Sequence, residues 1–534
     1  MISQDIPKME LRNEKKFTEC RCKTTNELLG YSTLHKEKDL QLMVNKARIA
    51  QLEWSQIPVK ERTRRIIKIR DYIVANLDEL AAIISRDTGK TLNDAMIAEL
   101  FPATSALSYY CKNAPRFLRE RKLPIGHLAT INKRSKVIRV PWGIVAVIAP
   151  WNYPFIIPFS EVIMALLAGN AVILKMASQT QMVGLAMEKC LASADLPQDL
   201  FNLVNIPGQM AGDLLLKNGV NKLCFTGSVA VGQYLMGKAA ETLTPLSLEL
   251  GGNDAMMVCE DADIYRSVMG AVWAGFTNAG QTCAGVERIY VHEKIYKPFM
   301  ELLKQKVETI QVEVGAEFNR DMGVITTPSQ VKTVELYIDD ALKKGAEIFA
   351  QSKIPVNPKL SNFFPATVLA NVTHDMLVMK CEIFGPVIAV MKVNNITEAI
   401  KLVNDSDLGL TASVWSSNKY QAEKIARQLQ VGIVTINDHL VSHAMPETPW
   451  GGFKKSGLGR THGEIGFEEM TQPQVIIRDI MPFAKRNPWW PSNNLEVYNG
   501  IKGLIEISYS PLISKRLKGM KRLMKMLPRW FRQE

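Results

Sequence analysis

The chain has 534 residues, more than one hydrophobic core organises, so two or three domains are expected. Hydrophobic residues make up 47% and charged residues 22%, which excludes a disordered or collagen-like chain. The formal net charge is +12, but from Lys485 onward eleven basic residues face three acidic ones, which leaves the body at about +4 and excludes a general nucleic-acid-binding surface. The eight cysteines (Cys20, Cys22, Cys111, Cys190, Cys224, Cys259, Cys283, Cys381) show no framework spacing, and the one close pair has no histidine cluster beside it. No metal site is expected, and a reducing, cytoplasmic compartment is.

Residues 1–35 read as a polar leader, and residues 1–16 lack the apolar core of a signal peptide. Helical periodicity over 40–98 predicts two or three helices. The β-rich runs 129–132 and 136–140 flank a basic turn, Lys133-Arg134-Ser135, and predict a hairpin. The apolar stretch 142–174 is too interrupted to span a membrane, since Pro150, Asn152, Pro154, Pro158, Ser160 and Glu161 fall inside it. From there strands (143–148, 171–174, 201–204, 222–225) alternate with helices (159–168, 184–194, 208–217, 232–240). That order predicts a doubly wound α/β domain with a parallel sheet. A second alternating set, about 254–442, predicts a second one.

Several residues carry candidate chemistry. Cys283 lies in Gly280-Gln281-Thr282-Cys283-Ala284, 34 positions after Glu249 in Leu248-Glu249-Leu250-Gly251-Gly252-Asn253. Together they offer a sulfur nucleophile and a carboxylate base. Asn152, between Trp151 and Tyr153, reads either as an Asx turn before Pro154 or as an oxyanion donor. Phe225-Thr226-Gly227-Ser228 closes a strand and opens a helix, with Gly232 five positions beyond Gly227. It is a tight turn that can also bring backbone N–H groups to a pyrophosphate. Lys175 at a strand end and Glu382 in Glu382-Ile383-Phe384-Gly385-Pro386 would, taken singly, be solvated charges.

Taken in chain order these motifs, with Gly169-Asn170 and Pro449-Trp450-Gly451-Gly452 followed by Ser456-Gly457, resemble the aldehyde dehydrogenase superfamily of the NAD(P)-dependent, hydrolytic type. The resemblance runs from about Thr24 to Asp479, about 85% of the chain. It implies two doubly wound α/β domains plus a small β bridging or oligomerisation domain. Cofactor binding would fall to 36–122 and 142–251, catalysis to 252–448, and bridging to 123–141 and 449–479, leaving 480–534 as a basic amphipathic C-terminal extension. It implies a thioester on Cys283, an oxyanion site at Asn152 and hydrolysis by Glu249, a base that coenzyme A-dependent relatives generally lack.

NAD or NADP would be held by Trp151, Lys175, Ser178, Gly208, Thr226, Gly227, Ser228, Gly232, Glu382 and Phe384. In this family Lys175 would bond the adenosine ribose. Ser178 stands where many NAD-preferring members carry Glu, which removes a repulsion against a 2′-phosphate. The substrate tunnel would be lined by Tyr153, Ile157, Ser160, Thr282 and Ala284. Ser160 stands where members acting on succinate semialdehyde tend to carry Arg, so an uncharged tunnel is expected. The run from Asn437 to Gly452 looks closest to branches that oxidise long-chain or terpenoid aldehydes. The expected activity is therefore oxidation of an apolar medium- or long-chain or terpenoid aldehyde by a homodimer or homotetramer. The alternatives are a semialdehyde dehydrogenase of amino-acid catabolism and a catalytically idle, membrane-associated scaffold.

The extension is distinctive. On a helix, Leu512, Ile513, Leu517, Met520, Leu523, Met524 and Leu527 fall within about 140° of arc. Lys515, Lys518, Lys521, Arg522 and Lys525 lie opposite, and Pro528 ends the helix before Trp530 and Phe531. This predicts that residues 511–534 lie in the plane of an anionic membrane surface, on its inner face. A helix packed on the enzyme itself or on a sister subunit is the alternative, and a calmodulin-type target a third.

Overall fold

A computed structural model describes residues 17–312, 318, 320–355, 360, 362–491 and 493–532. The first sixteen residues of the expected leader and the last two of the extension lie outside them. The chain forms two compact units. One holds the residues up to Phe117 with Pro141–Thr471, and the other holds Leu118–Val140 with the residues from Gln472 onward.

The larger unit contains two open sheets. The first has six strands in the order Gly457–Leu458, Leu246–Glu249, Lys222–Thr226, Ile144–Ile148, Ala171–Lys175, Phe201–Val204. All neighbours are parallel except the edge strand Gly457–Leu458. Its three central strands are buried at every residue, as parallel strands covered on both faces must be. The helices Ile156–Ala168, Gln181–Ala192, Gly208–Lys217 and Val229–Ala239 alternate with the strands, within a few residues of the expected limits. The second sheet has seven strands in the order Glu347–Gln351, Thr367–Ala370, Val387–Val393, Val286–His292, Asp254–Val258, Thr411–Trp415, Ile433–Ile436. Along Asp254–Val258 the side chains alternate between two cores: Ala255 and Met257 enter one, Met256 and Val258 the other.

Three expectations need correction here. Residues 17–33 are not a leader: Phe17–Arg21 pairs antiparallel with Leu28–Thr33, with Cys20 and Ser32 buried and the Ser32 hydroxyl donating to Gln181 at 2.9 Å. The expected two or three helices over 40–98 are five, from Glu37–Gln56 to Leu92–Ala95, followed by a π turn, Met96–Leu100. Pro58, Asn76 and Gly89 punctuate the periodicity at the breaks. Finally, residues 449–471 belong to the larger unit, where Gly457 pairs with Glu249, and not with the bridging segment.

The smaller unit contains a three-stranded sheet in the order Thr471–Asp479, Lys133–Pro141, Arg121–Leu123. The expected hairpin turn does not form. Lys133-Arg134-Ser135 opens the strand itself, and Ser135 pairs with Leu123. The preceding run folds into a 3-10 turn, Leu128–Thr130, because the His127 Nδ1 accepts the Ala129 N–H at 3.1 Å. The extension falls in this unit as two helices, Leu495–Tyr509 and Ile513–Met526. They approach backbone to backbone: a Cβ on Gly503 would stand 2.4 Å from the Gly519 carbonyl oxygen. Among the described residues no helix is long and apolar enough to cross a membrane.

Candidate active site

Ligands of open α/β sheets bind beyond the carboxyl ends of the strands. Here those ends deliver Asn152 after Ile144–Ile148, Lys175, Thr226 and Glu249. The second domain brings Cys283 on a loop after the 3-10 turn Thr277–Gly280, in which Asn278 and Ala279 take positive φ of 50° and 54°. Gly252 makes the meeting possible, because a Cβ there would lie 2.1 Å from the Cys283 carbonyl oxygen. Cys283, Glu249 and Asn152 line one cavity.

The Asn152 side chain is buried and its Nδ2 donates to the Gln281 carbonyl at 3.0 Å, which uses one of two amide hydrogens. The Asn152 backbone carbonyl accepts from Lys90 Nζ at 2.8 Å and from Asn278 Nδ2 at 3.1 Å. Sequence reasoning missed this Lys90. It is paired with Glu99 at 2.6 Å, both side chains being fully buried. The second Glu99 oxygen accepts the Phe155 and Ile156 N–H groups at 2.7 and 3.2 Å. The pair thus ties the π turn to both sides of the Asn152-Tyr153 loop, and Lys90 Nζ lies 4.2 Å from the Tyr153 ring centre. No spacing in the sequence announces it: a lysine after Thr88-Gly89 reads as a solvated turn residue.

Burial pushes the Cys283 thiol well up, and the charges of Glu382, Asp254 and Glu249 push it further. Burial also holds Glu249 well above the carboxylate range, with Glu161 as the second cause and Arg460 and Trp450 opposing. The resting thiol is therefore protonated, and a nearby carboxyl of raised basicity suits proton removal. Glu382 is pushed up to about 7 by burial and accepts the Gly252 N–H at 3.1 Å.

The cavity at these residues measures about 940 Å³. Of the expected cofactor residues, Trp151, Lys175, Ser178, Gly208, Thr226, Gly227, Ser228, Glu382 and Phe384 line it. Gly232 does not. It is a packing glycine, since a Cβ there would come within 2.6 Å of Leu250. Ser228 caps the helix Val229–Ala239, its hydroxyl accepting the Val231 N–H at 3.4 Å. Lys175 is buried, makes no hydrogen bond or ion pair among the described residues, and is lowered to about 8 by burial. Phe384 meets Trp151 edge to face at 5.3 Å, and the Glu287 carboxylate holds its loop through the Ile383 and Phe384 N–H groups, both at 2.8 Å. A long groove with a helix N-terminus, an unpartnered ammonium and an aromatic pair fits a nicotinamide dinucleotide.

A second cavity, about 320 Å³, opens on the other side of Cys283. Tyr153, Ile157, Thr282 and Ala284 line it as expected, and the Tyr153 hydroxyl bonds Thr282 Oγ1 at 2.8 Å. Ser160 does not line it. One turn deeper in its helix, it is buried beside the Tyr110 hydroxyl. The rim carries exposed Ile97, Phe101, Trp273 and Val441. The lining contains no Lys or Arg, and its one carboxylate is Asp438. Among the described residues no His, Cys, Asp and Glu cluster could hold a metal ion.

The two mostly parallel sheets and this groove define an oxidoreductase that uses a nicotinamide cofactor. Residues 11–476 match the aldehyde dehydrogenase family, and the chain belongs to it. It is 37% identical over 484 residues to a 4,4'-diapolycopene aldehyde oxidase from Methylomonas sp, covering 90% of this chain and 89% of that protein. Its fold is similar to succinate-semialdehyde dehydrogenase from Burkholderia pseudomallei, with a TM-score of 0.83 at 33% identity over 87% of this chain and 95% of that one. It is also similar to the NAD+ complex of aldehyde dehydrogenase from Bacillus cereus, with a TM-score of 0.83 at 30% identity over 87% and 94%. The protein is an aldehyde-oxidising enzyme with NAD or NADP as acceptor.

Proposed function

We propose that the substrate is an apolar medium- or long-chain or terpenoid aldehyde, converted to its carboxylate through a thioester on Cys283. The observation that carries this is the second cavity, with apolar walls, an apolar rim and no cation. A semialdehyde brings a distal carboxylate, which would meet no Lys or Arg there and would be repelled by Asp438. The name of the Methylomonas relative agrees with a terpenoid substrate.

In this reading Cys283 gives its thiol proton to solvent water as Sγ adds to the aldehyde carbon, and the free Asn152 amide hydrogen with a backbone N–H holds the oxyanion. Each such donor contributes about 3 kcal/mol. Bound NAD(P) supplies the hydride acceptor, and Lys175, Ser228, Glu382 and Phe384 position it. Glu249 then takes a proton from water as the oxygen adds to the thioester carbon and the thiolate leaves.

We assign cofactor binding to 36–122 and 142–251 and the thiol to 252–448. The strand Thr471–Asp479, with Val475, Ile476 and Ile477 exposed, would serve assembly as a homodimer or homotetramer. Eight free cysteines support a reducing, cytoplasmic compartment. The helix pair Leu495–Tyr509 and Ile513–Met526 would rest on an anionic membrane surface. The test of substrate class is a panel of aldehydes of increasing chain length with succinate semialdehyde, assayed with NAD and with NADP. The expected result is a kcat/KM that rises with chain length. Preference for the semialdehyde overturns the reading.

A further inference from the structure

Behind Cys283 and Glu249 lies a small space of about 20 Å³, room for one water molecule. Its polar lining includes Thr226 and Glu249 at strand ends, Glu161 on the helix Ile156–Ala168, and Thr461 with His462, together with Cys283, His443 and Trp450. Glu249 Oε2, Thr226 Oγ1, Thr461 Oγ1 and both His462 ring nitrogens are buried without a protein partner. Each such group left unsatisfied costs about 1–3 kcal/mol, and one water bonded to several of them removes most of that cost. Glu161 is 4% exposed and makes no hydrogen bond among the described residues. The Lys222 ammonium acts on it, and Lys222 Nζ is bonded at 2.7 Å to Glu469, which reaches solvent with 27% of its side chain exposed. The Ser247 hydroxyl donates to the same Glu469 oxygen at 2.9 Å.

We propose that Glu161 is the relay through which the proton collected by Glu249 leaves the buried site, passing by way of a water held between Glu249, Thr226, Thr461 and His462. This rests on Glu249 as the deacylating base. Two carboxyls sharing one apolar chamber do not both ionise. Burial pushes Glu161 up to about 8, and its charge is the second cause that raises Glu249. The pair therefore shares one proton, and the form in which Glu161 holds it leaves Glu249 free to act as the base. When Glu249 takes a proton from the attacking water, the new C–O bond forms and the C–S bond breaks. The Glu161 proton departs on the Lys222 and Glu469 side, and the Glu249 proton moves through the chamber water to Glu161. One proton leaves the chamber per thioester hydrolysed, and the pair is reset.

The other titratable groups around Glu161 stay fixed near neutrality. Burial lowers His443 to about 4 and His462 well below its usual range, so both rings are neutral. Burial raises Tyr110 and Cys224, so both keep their protons. Among the described residues Lys222 supplies the one cation that acts on Glu161, and Arg460 acts on Glu249.

The test is Glu161→Gln, which keeps the shape and hydrogen bonding of a neutral carboxylic acid but carries no proton. Octanal with NAD reads both half-reactions, and para-nitrophenyl acetate acylates the thiol without cofactor. The expected result is a burst of reduced cofactor of at least normal amplitude, a kcat lower by at least about tenfold and an unchanged kcat/KM for octanal, since only the step after the burst is slowed. The solvent deuterium isotope effect on kcat should grow, the inflection of kcat near pH 8 should vanish, and Glu161→Asp should recover part of the rate. Hydrolysis of the acetylated enzyme should slow by the same factor. A Gln variant with normal kcat, isotope effect and pH profile overturns the relay. So does loss of the burst in both variants together with a lowered melting temperature, which marks a structural role. Turnover of both probes by Cys283→Ala would instead bring down the thioester reading on which the relay depends.

Discussion

A half-buried thiol facing three carboxyl groups reacts only when its proton is taken, and the thiol and Glu249 are separable by mutation. Cys283→Ala should abolish aldehyde oxidation while NADP still quenches the tryptophan fluorescence. Undiminished turnover would remove Cys283 from the chemistry. Glu249→Gln should keep a pre-steady-state burst of reduced cofactor and lose steady-state rate, and loss of the burst would place Glu249 at thiol activation. Lys175 gives a pH signature. Its ammonium is lowered to about 8 by burial, and an anionic cofactor favours the charged form. Affinity for NADP should therefore be full below pH 8 and fall as pH rises through it, a dependence that Lys175→Met flattens when titrated by calorimetry. At the exposed Ser178, on the rim of the same groove, Ser178→Glu should raise the ratio of NAD to NADP efficiency. An unmoved ratio would place Ser178 away from the adenosine ribose.

At the scale of elements, the π turn Met96–Leu100 is the device that reading the sequence did not supply. A π turn inserts an extra residue into a helix and re-aims side chains, often at functional sites. Here it aims Glu99 inward at Lys90 and at the start of the helix Ile156–Ala168. Lys90→Met leaves a buried carboxylate unpaired and should cost about 3–5 kcal/mol in denaturant unfolding, with kcat lowered as the Asn152 carbonyl loses an anchor. The double variant Lys90→Met, Glu99→Leu should regain much of the stability but not the rate. Full recovery of both would make the pair a packing feature only. What was legible follows from the same physics. The parallel strands are continuous apolar runs bounded by glycine and turn residues, and the motifs at Asn152, Glu249 and Cys283 are local. Lys90 and Glu99 meet through tertiary structure, so no window shows them. The hairpin at 17–33 hides because its inward residues are Cys and Ser among charges. Gly232 was misread because a glycine that admits Leu250 looks, in sequence, like one that admits a phosphate. The helix Leu495–Tyr509 was missed because Gly500 and Gly503, each about 1 kcal/mol unfavourable in a helix, are there for packing.

For the whole molecule, the proposed membrane contact of the extension can be tested. The structure changes which residues are free to face a lipid surface. Leu523 and Leu527, expected on the apolar arc, are half-buried, and Arg522, expected on the basic face, pairs with Glu506 at 2.6 Å. In exchange the preceding helix adds exposed Leu495, Tyr498, Ile501, Ile505 and Tyr509 to Leu512, Ile513, Leu517, Met520 and Met524. Lys515, Arg516, Lys518, Lys521 and Lys525 remain exposed, each bringing about 1 kcal/mol near anionic lipid, an attraction that salt screens. Cutting the chain after Ser510 would strip the cover from Val497 and Leu504, which are buried in the helix pair, so truncation alone confuses solubility with binding. Substitution avoids this: Leu517→Glu with Met520→Glu alters exposed positions and leaves the Gly503–Gly519 approach intact. Sedimented with phosphatidylserine vesicles at low salt, the unsubstituted enzyme should pellet and be partly released by salt, while the double variant stays in the supernatant with normal activity on a short aldehyde. Binding that is equal for both, or absent for both, would take the apolar face away from the membrane and leave it for a protein partner.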